Sequence, residues 1–210
     1  MGLYTSDMTY PTLKHEEELW KLGHQRICGI DEVGRGCFAG PIVAAGVIFP
    51  QDVVLPQGLN DSKLMTAKKR VEVAALIKDL ALDWKIVEIG VEVINEQGIG
   101  KANKIAFQKV MTEFSALPDF VLIDAFKLED FDTSRQLPIV HGDQISASIA
   151  AASVLAKVYR DQLMETLDSQ FPGYGFAKHK GYGTKAHRDA LKQLGLSPLH
   201  RTSFNLTKFL

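Results

Sequence analysis

Apolar residues fall in short runs separated by polar, Gly-containing connections, and the period of each run predicts an element. Ile27 to Ile30 and Ile42 to Phe49 are short apolar, β-branched runs separated by a Gly-rich connection, the pattern of neighbouring strands in a largely buried sheet. Thr66 precedes a stretch in which Val71, Ala74, Ala75, Ile77 and Leu80 recur at three- and four-residue spacing, which predicts a capped helix. A strand is expected over Trp84 to Val93 and a helix over Lys101 to Phe114. Pro118-Asp119 then turns the chain into Phe120 to Ile123, a short buried strand ending on Asp124. Pro138 to Val140 predicts another strand, running into His141-Gly142-Asp143.

From Ile145 to about Asp168 the pattern is one long helix whose first half, Ser146 to Ser153, is almost wholly small residues, a face suited to close packing. Gly173 to Gly183 reads as a Gly- and Tyr-rich loop, after which Thr184 caps a last amphipathic helix through Leu194. The tail Phe204 to Leu210 is expected to fold against the core rather than to dock on a replication protein. Lys14 to Trp20 predicts a short helix in an N-terminal extension, residues 1–25, where little chemistry is expected. Alternating strands and helices indicate an α/β fold, a mixed sheet flanked by helices with a C-terminal helical segment, without revealing strand order.

Composition narrows the class. A chain of 210 residues, 46% hydrophobic and 23% charged, fits one compact domain, read as 26–210 with the extension packed on it. No apolar stretch approaches the ~20 residues of a membrane-spanning helix, and no signal pattern opens the chain, so a soluble cytoplasmic protein is expected. Cys28 and Cys37 are the only cysteines, too few for a disulfide framework or a Cys-rich zinc site, and the six histidines have no paired spacing with them. A metal would have to be held by oxygen. The net charge of −1 excludes a global positive field for nucleic acid, so charge must be judged locally.

Four carboxylates end a strand or open a helix: Asp31 and Glu32, Asp124, and Asp143. Taken singly, an Asp after a strand is a turn former and one before a helix an N-cap. Adjacent Asp31 and Glu32 are different, because burying two uncompensated charges beside a core strand is costly without a cation. Strand ends converge at one sheet edge, and hard divalent cations held by carboxylates there suit phosphodiester cleavage. Gly34-Arg35-Gly36 follows, two glycines that admit a ligand to the main chain around a forked donor, although Gly-x-Gly alone is common in turns.

The block Asp31-Glu32-Val33-Gly34-Arg35-Gly36-Cys37-Phe38-Ala39-Gly40 resembles bacterial ribonuclease HII. So, in order, do Asn60-Asp61-Ser62-Lys63, Leu122-Ile123-Asp124, Asp143 before the run Ser148 to Asp161, and Lys180-Gly181-Tyr182-Gly183-Thr184. The resemblance implies an RNase H-like fold in which Asp31, Glu32, Asp124 and Asp143 bind Mg²⁺ or Mn²⁺, with two ions in the substrate complex. Asp161 is a rival to Asp143 further along the helix. It further implies that Gly34, Arg35, Gly36 and Tyr182 sense a ribose 2′-hydroxyl. The expected partners are RNA–DNA hybrids and ribonucleotide-containing duplex DNA, bound by a monomer with no obligate protein partner. Ser62 and Lys63 are candidates to clasp a phosphate, and Lys178, His179, Lys180, Lys185, His187 and Arg188 to form a basic groove around Tyr182. Two rival readings stand beside this one: a ribonuclease HIII-like enzyme, and a noncatalytic nucleic-acid-binding module on the same fold. Cleavage at a single embedded ribonucleotide separates the first, metal-dependent cleavage the second.

Overall fold

The computed structural model describes residues 10–128 and 131–210, so residues 1–9 of the expected N-terminal extension lie outside the described residues. Five strands form one mixed sheet: β1 (Ile27–Val33), β2 (Ile42–Ile48), β3 (Asp83–Ile89), β4 (Phe120–Asp124) and β5 (Gln136–Ile139), in the order β3-β2-β1-β4-β5. β1, β2 and β3 pair antiparallel, while β4 and β5 continue parallel to β1. Pro138 is tolerated because β5 is an edge strand, where a missing backbone donor costs no ladder bond on the open side.

The helices are α1 (Lys14–Lys21), α2 (Ala67–Leu80), α3 (Val91–Gln97), α4 (Ile99–Glu113), α5 (Gly142–Ile145), α6 (Ala147–Gln170), α7 (Phe176–His179) and α8 (Lys185–Leu194). Strand alternation divides the core between two faces. Cys28, Ile30, Ile42 and Ala44 meet Phe107 and Val110 of α4 and Phe114 at its C-terminal cap, while Val43, Ala45 and Val47 meet α2 and the Ala-rich half of α6. The small residues of α6 let it lie directly on β1. A Cβ at Gly29 would run into the backbone of Ser148 and Ile149, so only glycine permits that approach.

Three boundaries differ from expectation. The strand ends at Ile89, and Val91 to Gln97 is helical: the buried residues Val91 and Ile94 are spaced for one helical face, and the alternation of Val91 and Val93 is incidental. The long helix begins at Ala147, capped by the Ser146 hydroxyl, and Asp143 sits on its own turn α5 after His141 in a left-handed conformation. Within the loop Gly173 to Gly183, α7 makes one helical turn. The tail does fold back: Leu206 is buried and Phe209 stacks on Phe38 at 5.4 Å. Among the described residues, no helix is long and apolar enough to cross a membrane.

α1 is more than a lid. Thr12 exchanges backbone hydrogen bonds with the junction of α5 and α6, donating to Ile145 O and accepting from Ala147 N. Buried Glu16 accepts from the Ser146 hydroxyl at 2.6 Å and from Ser148 N at 3.0 Å. The latch therefore ties the N-terminal segment to the turn that carries Asp143.

Candidate active site

Parallel pairing sets the geometry. In-register partners Ile30 and Ile123 place Asp31, the next residue of β1, beside Asp124 at the end of β4, and the turn after β5 delivers Asp143 to the same sheet edge. One carboxylate oxygen from each of Asp31, Asp124 and Asp143 lies within 4.8 Å of the others. Glu32 stands outside that group of three but feels the charge of Asp124. Asp61, which sequence reasoning left in a loop, is buried nearby and accepts from Lys63 N at 2.9 Å and from the Gln144 amide at 3.2 Å.

Hydrogen bonds aim the carboxylates. Glu32 N donates to Asp31 Oδ1 and Gly142 N to Asp124 Oδ1, each at 2.7 Å. Lys63 Nζ reaches Asp143 Oδ2 at 2.9 Å. Even so the cluster is under-compensated. Burial, then the neighbouring charges of Glu32 and Asp124, hold the Asp31 carboxyl well above the usual carboxylate range. Burial also raises Asp124 and lifts Glu32 to about 7, with Arg35 and Lys63 opposing the latter. Glu32 Oε2 is buried without a hydrogen-bond partner. An all-oxygen donor set with an unsatisfied carboxylate oxygen fits a hard divalent cation, which would supply the missing positive charge.

Beside the carboxylates, the chain after β1 passes through Gly34 with φ +92°, where a Cβ would strike the Arg160 side chain. Gly36 is open on the side where a Cβ would stand. The Arg35 guanidinium lies over the Phe126 ring at 4.4 Å. Two buried arginines that sequence reasoning passed over hold this loop. Arg160 donates to Pro41 O, Ala39 O and Lys180 O, and Arg201 to Gly40 O and Arg35 O. Arg160 was legible in principle, since it shares a face of α6 with buried Ala152, Ala156 and Met164 at four-residue spacing. Arg201 carries no such signal.

The loop bearing Tyr182 is joined to the loop after β1, because Phe38 N and Ala39 N both donate to Gly181 O. Tyr182 is 38% exposed, with Lys157 Nζ at 5.7 Å and the Arg160 guanidinium at 5.9 Å from its ring centre.

Several expected contacts sit otherwise. Ser62 turns its hydroxyl inward to Ser153 Oγ at 3.0 Å, so its side chain is unavailable to a phosphate. Lys180 Nζ is spent on Glu165 and Ala177 O, both at 2.6 Å. His187 is fully buried, Lys185 pairs with Asp189 and Arg188 donates to Gly183 O, so the basic groove around Tyr182 is thinner than its sequence reads. Lys63, by contrast, is exposed over most of its side chain, with its ammonium turned toward the carboxylates. Asp161 pairs with Lys157 at 2.7 Å and with Arg70 at 3.6 Å, away from the group of three.

The family model for ribonuclease HII matches residues 28–207, a span that contains the carboxylates, both loops and Arg201. This chain belongs to the ribonuclease HII family. It is 46% identical over 195 residues to ribonuclease HII of Syntrophomonas wolfei, covering 93% of this chain and 76% of that one. Its fold is also similar to the crystal structure of ribonuclease H2 from Pyrococcus horikoshii, with TM-score 0.72 and 22% identity over 87% of this chain and 95% of that one. A PCNA:RNase HII complex from Archaeoglobus fulgidus gives TM-score 0.71 and 25% identity over 86% of this chain and 96% of the other. The RNase H-like α/β architecture and the type 2 ribonuclease H activity follow from that membership: the chain is a metal-dependent endoribonuclease of RNA–DNA hybrids.

Proposed function

We propose that this member of the ribonuclease HII family also nicks on the 5′ side of single ribonucleotides embedded in duplex DNA, leaving 3′-hydroxyl and 5′-phosphate ends, with Asp31, Glu32, Asp124 and Asp143 as its metal-binding and catalytic carboxylates. The observation that carries this reading is the convergence of Asp31, Asp124 and Asp143 within 4.8 Å, beside the open loop of Gly34, Arg35 and Gly36. When bound, Mg²⁺ or Mn²⁺ ions lower the pKa of an attacking water and offset charge on the departing 3′ oxygen. The protein's own part is geometric. Backbone donors Glu32 N–H and Gly142 N–H each hold one oxygen of Asp31 and of Asp124, and the Ser153 hydroxyl also bonds Asp31, which sets the direction in which these carboxylates face a cation. Lys63 offsets Asp143 and brings a positive charge to the edge where a phosphate must approach.

Selectivity belongs to the adjoining surface. Gly34, Arg35 and Gly36 present main-chain groups that read the 2′-hydroxyl, which both donates and accepts, while the partly exposed Tyr182 ring packs against the adjacent sugar. Lys63 completes the contact region, while Ser62 holds its loop against Ser153 and the Lys180 carbonyl anchors the Tyr182 loop to Arg160. Two free cysteines, both buried, suit the reducing cytoplasm as the site of action.

The test is a duplex DNA with one ribonucleotide, incubated with Mg²⁺ or Mn²⁺ and then with chelator. Cleavage 5′ to the ribonucleotide, dependent on the ion, is expected. Cleavage confined to long RNA tracts would defeat the single-ribonucleotide reading, and hybrid binding without cutting in either metal would defeat the catalytic one.

A further inference from the structure

Three histidines from separate segments pack under the Tyr182 loop, none of them used by the chemistry above. His179 and His187 stack with ring centres 4.3 Å apart at 12°, and His187 Nε2 lies 3.0 Å from His200 Nε2. Their surroundings are apolar: Phe176 sits edge-on to His187 at 5.6 Å, Phe38 lies 5.8 Å from it, and Tyr174 lies 5.1 Å from His200. Among the described residues, no carboxylate is paired with His187 or His200. Burial lowers both, His187 to about 4, with the other imidazoles of the cluster acting in the same direction.

Hydrogen-bond direction fixes each tautomer. A backbone N–H can only donate, so Ser197 N, 2.8 Å from His200 Nδ1, outweighs Ser197 O at the longer 3.3 Å, makes that nitrogen an acceptor and leaves the proton on Nε2; the Ser197 hydroxyl, also at 2.8 Å, can turn its proton the same way. A carbonyl can only accept, so Tyr182 O, 3.0 Å from His187 Nδ1, requires the proton there. The two remaining nitrogens then face each other as donor and acceptor, His200 Nε2–H to His187 Nε2. The opposite tautomer at His187 breaks two bonds at once, and at His200 it exchanges the Ser197 N and His187 bonds for a longer one to Ser197 O.

We propose that His200 and His187 form a neutral two-histidine relay that positions Tyr182 for ribose recognition, carrying a fixed donor from Ser197 to the Tyr182 carbonyl. The proposal rests on the reading of Tyr182 as part of the sugar-sensing surface. Tyr182 O already accepts from Thr184 N at 2.8 Å, which alone allows the peptide to swing. The second donor, on a buried ring packed from both sides, fixes the plane of the Tyr182–Gly183 peptide and hence the place on the backbone from which the phenol side chain departs. From the other side His179 takes Gly181 N–H at 3.2 Å on Nδ1 and gives its Nε2 proton to Tyr174 O at 2.8 Å. His187 and His200 are positioning residues, not catalytic ones.

Two measurements test this on the full chain. Long-range ¹H–¹⁵N correlation spectra of histidine-labelled protein at neutral pH should show His187 in the less common Nδ1–H tautomer and His200 as Nε2–H. Nε2–H at His187, or a doubly protonated ring at either residue, overturns the relay. For function, His187→Phe removes the donor but keeps an apolar ring, and His187→Asn restores a donor near the Nδ1 position. With His187→Phe, kcat/KM on a duplex with one ribonucleotide should fall about tenfold, the size of one lost buried hydrogen bond, and by less on a uniform RNA–DNA hybrid. His187→Asn should recover most of the loss. Equal losses on both substrates, or no recovery with Asn, overturn the positioning role. Should His187→Phe fail to fold, His200→Gln, which keeps a donor toward His187, should preserve the substrate ratio, and loss of that ratio overturns the proposal. If Tyr182→Ala leaves the ratio unchanged while the predicted tautomers are seen, the reading of Tyr182 fails and the relay's geometry stands.

Discussion

Asp124 illustrates a residue kept at a cost to the fold. Its carboxyl is raised by burial and by the charge of Asp143, and Gly142 N donates to Oδ1, an atom that asparagine also supplies. Asp124→Asn should therefore abolish turnover, by at least about a hundredfold, while leaving the metal-free protein as stable as before or more so. Metal-dependent cleavage and thermal melts in chelator check both halves, and near-normal turnover would remove Asp124 from the site. Glu32 has a companion signature. Its folded-state value of about 7 lies above its unfolded one, so the folded protein binds the extra proton. The group thus disfavours folding once ionised, and metal-free stability should rise as the pH drops from about 8 toward 6, the reverse of a paired carboxylate. Added Mg²⁺ should bind more weakly across the same range, because ion and proton compete for one carboxylate. A melt series with and without Mg²⁺ reads both trends, and a flat series would argue against an uncompensated Glu32.

At the scale of elements, the decisive contact is α6 on β1. The run Ser146 to Ser153 announces close packing in the sequence, but the partner of that face, Gly29, is visible only in the fold. Gly29→Val should destabilise the protein by about 2 kcal/mol or more, since the intruding atoms meet backbone and no side chain can give way. A denaturant titration measures this. The Glu16 latch belongs to the same scale. Removing its carboxylate in Glu16→Ala leaves the Ser146 hydroxyl and Ser148 N–H without their acceptor, which should cost about 1–3 kcal/mol and loosen the turn that carries Asp143. A drop in melting temperature with a weaker apparent Mg²⁺ affinity is the expected pair of results. The acidic stretch Glu16-Glu17-Glu18 reads in sequence as a solvated helix face, which is why Glu16 was not legible: burial of one of three consecutive glutamates depends on where α1 docks.

For the whole molecule, a net charge of −1 and a pocket of carboxylates must still accept a polyanion. Much of the basic charge near Tyr182 is already tied up, in Lys180 with Glu165 and Lys185 with Asp189, so electrostatic attraction is local and modest. Affinity for an RNA–DNA hybrid should weaken as salt rises, with a slope of only a few released counterions, about 2–4. Binding titrations across salt concentrations check this, and a salt-independent affinity would count against phosphate contacts altogether.

The α/β class, the two buried strands flanking the Gly-Arg-Gly segment, the helix capped by Thr184 and the acidic residues at strand ends were legible along the chain, because period, caps and turn residues are local properties. Local pattern misplaced the end of β3, where Val91 and Val93 alternate by chance, and missed the single turn α5 ahead of α6. That β1, β4 and β5 run parallel and so bring Asp31, Asp124 and Asp143 to one edge depends on pairing between distant segments and emerges with the fold alone. The same holds for Ser62 and Lys180, which turn to partners within the protein, and for Arg160, Arg201, His187 and His200, which are buried behind the Gly-Arg-Gly and Tyr182 loops. The reason is physical: a polar side chain's role depends on what satisfies it, and those partners lie far along the chain.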